Sequence, residues 1–255
     1  MKALITGATS GIGRCMAREL SYRGWELILT GRNEAELKKL QRELGHTEII
    51  AADLADKKEV FKVYEFCRDK NVDMLVNNAG YGIFGKFDET DLYDEIDMIN
   101  VNITAVHILT KLFLRDFKER NRGRIINVAS SAGFMTGPLL SSYYASKNYV
   151  VRLSLAIAEE LRREKSAVRI TILCPGPVST NFNDRAGVTF SMKPITPEYA
   201  AKYALNKAFS GKVIAIPGLK IRAGLLAARF VPHRLLPVFV YEIQKRKKSA
   251  NGGEI

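Results

Sequence analysis

Short apolar runs alternate along this chain with longer stretches whose apolar residues recur at helical spacing. Lys2 to Thr6 is the first such run. A glycine-rich turn follows, then a helical pattern through Met16, Leu20 and Tyr22. Trp25 to Thr30 predicts a second strand, and Asn33 is placed to cap a helix running to Leu44. A third strand over Thr47 to Ala51, a helix over Asp56 to Arg68 and a strand over Asp73 to Val76 continue the rhythm. One long helical pattern then spans Asp91 to Glu119. Beyond it come a strand over Gly123 to Ala129, a helix over Ser141 to Glu164, a strand over Ala167 to Leu173, a helix over Pro197 to Ser210 and a last strand over Lys212 to Ile216. Strands and helices in this order predict a doubly wound α/β domain, one mostly parallel sheet of seven strands with helices on both faces.

At 255 residues and 47% hydrophobic content the chain can bury one large core. We expect a single domain, with residues 1–217 as its body and 218–255 as an extension of it. Cys15, Cys67 and Cys174 lie far apart and without metal-ligand spacing, which points to buried free thiols in a reducing compartment and to no metal. Strand-like residues begin at Lys2, leaving no room for a leader, and no apolar run has the length of a membrane span, so the expected location is cytoplasmic. A net charge of +12 fits nucleic acid, an anionic membrane surface or an anionic cofactor. Its distribution separates these. From Gly218 onward there are eight Lys/Arg and two Glu, a net +6, beside Leu225, Leu226, Phe230, Leu235, Leu236, Phe239, Val240 and Ile243, with Pro232 and Pro237 breaking the run. That is an amphipathic, basic helical tail without the aromatic interleaving of a nucleic-acid surface. Docking of the tail on the body or a second subunit is the preferred reading, with peripheral membrane contact the alternative.

The candidate chemistry sits at the ends of the strands. Gly7-Ala-Thr-Ser-Gly-Ile-Gly13, between a strand and a helix, is the arrangement that aims backbone N–H groups and a helix N-terminus at a pyrophosphate. After the second strand the chain reads Gly31-Arg32-Asn33, and an arginine there suits a 2′-phosphate, favouring NADP(H) over NAD(H). Tyr143 and Lys147 lie one helical turn apart, so an ammonium close to the phenol is expected to lower its pKa.

The glycine spacing, Asn77-Asn78-Ala79-Gly80, Ser130 thirteen residues before Tyr143, and Tyr143-Tyr-Ala-Ser-Lys147 together resemble the short-chain dehydrogenase/reductase family from Lys2 to about Thr180. The resemblance implies a Rossmann-type fold and hydride transfer between a nicotinamide cofactor and a carbonyl or secondary alcohol. It assigns catalysis to Asn102, Ser130, Tyr143 and Lys147, with the Asn102 backbone carbonyl holding a relay water and Asn100 the runner-up. It assigns cofactor binding to Gly7, Ser10, Gly11, Ile12, Gly13, Asp53, Leu54, Asn78, Val178 and Thr180, together with Arg32, Tyr143 and Lys147. It implies a homodimer or homotetramer paired through the long helices. The irregular segment from Pro177 to Pro197, with Phe182, Phe190 and Met192, reads as a lid. With Phe134, Met135, Leu139 and Leu140 opposite, it suggests an apolar ketone or acyl substrate. A dinucleotide-binding sensor or scaffold without turnover is the rival function.

Overall fold

The computed structural model describes residues 1–180 and 194–245. Strands β1 (Lys2–Thr6), β2 (Glu26–Gly31), β3 (Thr47–Ala51), β4 (Val72–Asn77), β5 (Arg124–Val128), β6 (Arg169–Leu173) and β7 (Ile214–Ala215) form one sheet in the order β3-β2-β1-β4-β5-β6-β7, every pair parallel. Parallel neighbours need crossovers, and the helices supply them on both faces. On one face, α1 (Gly11–Tyr22), α2 (Glu34–Leu44) and α7 (Pro197–Phe209) pack on Ala3, Ile5, Leu27, Leu29, Met74 and Val76. On the other, α3 (Lys57–Cys67), α5 (Val106–Glu119) and α6 (Ser141–Arg163) cover Leu4, Ile28, Leu75 and Ile125. Alternate residues of each strand thus serve opposite layers.

The helix starts follow the expected capping chemistry. Asn33 Oδ1 accepts from the Glu36 N–H, Asp56 Oδ1 from Lys58, and Thr196 Oγ1 from Tyr199, each satisfying an N–H that the first turn leaves open. The stretch expected as one helix from Asp91 to Glu119 is α4 (Leu92–Ile99), a π-helical segment (Asn100–Ala105) and α5 in direct succession. The last strand is shorter than expected. Only Ile214 and Ala215 pair with β6, because β7 is an edge strand and Pro217 follows it.

Order 3-2-1-4-5-6-7 reverses direction between β1 and β4, and their carboxyl ends diverge there into a crevice. On the β4 side of the divide, β4 and β5 are tied by a buried polar cluster. The Asn77 amide donates to Asn127 Oδ1 at 2.9 Å and Thr110 Oγ1 at 3.0 Å, and Asn127 donates to Ser154 Oγ at 2.9 Å, joining β4, β5, α5 and α6. The tail forms α8 (Leu219–Ala228) and α9 (Leu236–Lys245). Pro232 lies between them, but Pro237 sits in the first turn of α9, where the missing N–H costs nothing, so it starts a helix and does not break one. No described helix is long and apolar enough to cross a membrane.

Candidate active site

The turn between β1 and α1 exists in this form only with glycine. Gly7 and Gly11 have φ of +62° and +50°, and a Cβ on Gly13 would fall 2.4 Å from both Asn78 Nδ2 and the Gly7 carbonyl oxygen. Asn78 holds the turn from the other side, donating to the Thr6 and Gly7 carbonyls at 3.0 Å each. Its amide is therefore a brace for the turn, while Ser10, Gly11 and Ile12 open the N-terminus of α1 onto the crevice. Thr180 closes the far side, its Cγ2 lying 3.0 Å from where a Gly11 Cβ would be, and Val178 lines the same wall.

The crevice has two halves that share Ser10, Asn78, Gly80 and Tyr81. One is a cavity of about 500 Å³ at the ends of β2 and β3, the other a cavity of about 590 Å³ at the ends of β4, β5 and β6. The first is lined by Gly7, Arg32, Asp53 and Leu54. Arg32 Nη1 stands 4.0 Å from Asp53 Oδ2 with both side chains about half exposed, and Asp53 also accepts from the Ala55 N–H at 3.1 Å. Arg14, a second guanidinium nearby, is taken up by Glu36 at 2.8 Å and the Thr9 carbonyl. Among the described residues, Arg32 is therefore the cation that lines this half of the crevice. A glycine-built turn, a helix N-terminus, a cation and a divided crevice together fit a dinucleotide.

In the second half, α6 places Tyr143 and Lys147 on one face, with Lys147 Nζ 5.8 Å from the centre of the Tyr143 ring. The carboxyl end of β5 delivers Ser130, whose hydroxyl accepts from the Ala132 N–H at 3.1 Å and hydrogen-bonds the Tyr143 phenol. Ser131 also lines the cavity, with its N–H on the Pro175 carbonyl at 2.8 Å. The expected lowering of the phenol pKa is not what this geometry produces. Burial pushes Tyr143 up to about 12 and the Ser130 hydrogen bond recovers part of that, while burial pulls Lys147 down to about 8. Both groups lie in a dry wall, and Lys147 donates to the Val128 carbonyl at 3.1 Å, so desolvation outweighs the pair's mutual attraction.

Asn102 is fully buried in the π-helical segment. Its amide donates to the Tyr81 carbonyl at 2.8 Å and Ser146 Oγ at 3.0 Å, and its Oδ1 accepts from the Tyr81 N–H at 3.1 Å. Ser146 in turn donates to the Tyr143 carbonyl at 2.7 Å, so the Asn102 side chain sets the first turn of α6. The side chain of Asn100, the runner-up, accepts from Thr104 Oγ1 one turn on, at 3.4 Å.

The substrate wall is apolar. Met135 and Leu140 line it as expected, but Phe134 packs behind with Val150 and Val151, and Leu139 is buried in a turn at φ +64°. Residues 181–193, with Phe182, Phe190 and Met192, lie outside the described residues. The chain on either side pairs at Val178 and Ile195. Two contributions went unread in the sequence. Gly80 leaves room for Lys147, since a Cβ there would lie 3.1 Å from its Nζ and 2.8 Å from Asn102 Oδ1. The tail supplies a wall of the cavity through Ile221, Leu225, Leu236, Val240 and Gln244, the last donating to the Tyr144 hydroxyl. The amphipathic pattern of α8 and α9 carried a signal for an inner face, but nothing in it said which cavity that face would meet.

Residues 1–188 match the family model for short chain dehydrogenase. The chain is 33% identical over 214 residues to a very-long-chain 3-oxoacyl-CoA reductase of Anas platyrhynchos, covering 80% of this chain and 67% of the relative. It is 34% identical over 191 residues to a human protein named inactive hydroxysteroid dehydrogenase-like protein 1, covering 71% of this chain and 56% of that one. Among solved structures, a short-chain dehydrogenase from Sphingobium yanoikuyae in complex with NADPH superposes with a TM-score of 0.81 at 28% identity, covering 89% of this chain and 92% of the other. Matching motifs, a seven-stranded parallel sheet and a Ser130–Tyr143–Lys147 cluster at its carboxyl edge agree, and the chain belongs to the short-chain dehydrogenase/reductase family.

Proposed function

We propose that this protein is an NADP(H)-dependent oxidoreductase that interconverts an apolar ketone or acyl carbonyl and its secondary alcohol. The observation that carries this reading is the hydrogen-bonded Ser130–Tyr143 pair, with Lys147 beside it, set in a cavity whose other walls are Met135, Leu140, Leu225, Leu236 and Val240. A nicotinamide dinucleotide in the crevice supplies or accepts the hydride. Ser130 holds the carbonyl oxygen, and Tyr143 delivers a proton to that oxygen as charge develops on it. A phenol near 12 suffices, because an alkoxide is a far stronger base than a phenolate and takes the proton downhill. Lys147, one turn on and beneath Gly80, is assigned to the nicotinamide ribose, where hydroxyl acceptors favour its charged form.

Solved relatives carry NADPH or NAD, so the choice rests on this chain's own residues. Arg32 faces the crevice just past the end of β2 and supports the 2′-phosphate form. Arg32→Ala is expected to weaken NADPH by roughly tenfold or more and NADH little. Equal losses would count against NADP(H). The relative named inactive favours a second reading, a dinucleotide-binding protein without turnover. Against it stands the intact proton donor. NADPH oxidation assayed over a panel of apolar ketones and acyl thioesters separates the two: turnover on any of them supports the enzyme, and tight NADPH binding with none supports the sensor or scaffold.

A further inference from the structure

Helices α8 and α9 have two faces, and the site uses only one. Leu225, Val240 and Gln244 are buried against the body, whereas Leu219 and Phe230 are about four-fifths exposed (80% and 81%), and Leu226, Leu235 and Val238 project outward as well. Lys220, Arg229, Arg234 and Lys245 stand among these apolar residues, and among the described residues none of the four has an ion-pair partner. Glu242 is the one acid in residues 219–245. The two faces meet at the cavity. Phe239 and Ile243 line it while remaining more than half exposed (58% and 56%), and Lys220, Gly224 and Ala227 are both lining and exposed. These residues therefore form its mouth.

We propose that the outer face of α8 and α9 is a membrane-docking surface that seats on anionic lipid and turns the cavity mouth toward the bilayer. Apolar residues at the depth of the acyl chains, ringed by cations at the depth of the headgroups, are what such a surface requires. A second copy of the chain is the competing occupant. A two-fold contact through this face would bring like charges together and seal the mouth, whereas a bilayer neutralises the charge and leaves the mouth facing a store of apolar molecules. The substrate class that follows, a carbonyl compound partitioned into lipid, rests on the proposed function; the docking does not.

The test is co-sedimentation of full-length, NADPH-loaded protein with phosphatidylcholine vesicles, with and without phosphatidylglycerol, at low and moderate salt. Binding is expected to the anionic vesicles and to fall with salt. Arg229→Gln with Arg234→Gln should weaken it about thirty-fold, at roughly 1 kcal/mol per basic residue. Leu226→Ser, Phe230→Ser and Val238→Ser together should weaken it by on the order of tenfold or more. None of these five residues lines the cavity, so both variants should bind NADPH and reduce a water-soluble ketone like the parent. Binding to neither vesicle, equal binding to both, or binding unchanged in both variants would overturn the proposal. So would lipid-free self-association that the serine variant abolishes. Vesicle binding without turnover on any carbonyl would instead remove the proposed function and leave the docking.

Discussion

At the scale of single residues, the site is governed by how dry it is. Tyr143 keeps its proton through the whole neutral range because burial raises its pKa to about 12. In the proposed reduction it is thus held in the protonated form that a proton donor needs. Tyr143→Phe removes that proton and little volume; steady-state assay should show turnover lower by roughly 10²-fold or more, with NADPH affinity by fluorescence titration close to unchanged. Lys147 illustrates the cost of such a site. Its folded pKa, about 8, is below its unfolded value of 10.5, so the unfolded chain binds more protons between those two pH values. Stability therefore rises as pH climbs from 8 toward 10.5, and the penalty is complete below 8. Lys147→Met should stabilise the protein at pH 7 by about 1–2 kcal/mol after allowing for the lost hydrogen bond to Val128, while depressing turnover. Urea unfolding at pH 7 and pH 10 checks the sign, since the gain must shrink at the higher pH. Tyr143 and Lys147 were legible from spacing, because positions one turn apart share a helix face whatever surrounds them, whereas Ser130, at the end of β5, was legible only through the family resemblance. Their protonation was not, because desolvation depends on walls contributed by residues far away in the chain.

At the scale of elements, the helical pattern from 91 to 119 showed the length of the element but not the π-helical segment within it. Insertion of a wider turn leaves apolar periodicity nearly intact on either side, so the pattern has little to show. Yet that segment carries Asn102, which joins Tyr81 to Ser146 and through it to Tyr143. Asn102→Ala would remove the side-chain partner of the Tyr81 N–H and carbonyl and the donor to the Ser146 hydroxyl, in surroundings with at most partial access to water. A loss of roughly 2–4 kcal/mol in urea unfolding is expected, together with slower turnover as the first turn of α6 shifts. A variant as stable as the parent would remove Asn102 from this role.

At the scale of the whole molecule, the unpaired surfaces predict assembly. Ile96 and Ile99 on α4 and its junction, and Tyr149 on α6, are exposed on helices that lie across the body from α1 and α7, and His107 on α5 reaches the Tyr149 hydroxyl at 2.7 Å. Pairing of two copies through α4, α5 and α6 would cover them. Sedimentation velocity at micromolar concentration is expected to show a dimer or tetramer, reduced by Ile99→Lys. A monomer for the parent would contradict the expectation.

By itself the sequence determined the order of the strands and principal helices, the mostly parallel sheet and the glycine turn at Gly7–Gly13. Each of these follows from local rules: period in the apolar pattern, capping side chains, and backbone angles that only glycine reaches cheaply. It also set Tyr143 and Lys147 on one helix face, and Ser130 joined them through the family resemblance. The tertiary structure alone decided that Asn78 braces the turn, that Phe134 turns away from the substrate wall, that Pro237 begins a helix, and that the inner face of the tail completes the cavity. These depend on contacts between residues up to a hundred positions apart, as between Tyr144 and Gln244, and an amphipathic stripe specifies that a face will be covered without specifying by what.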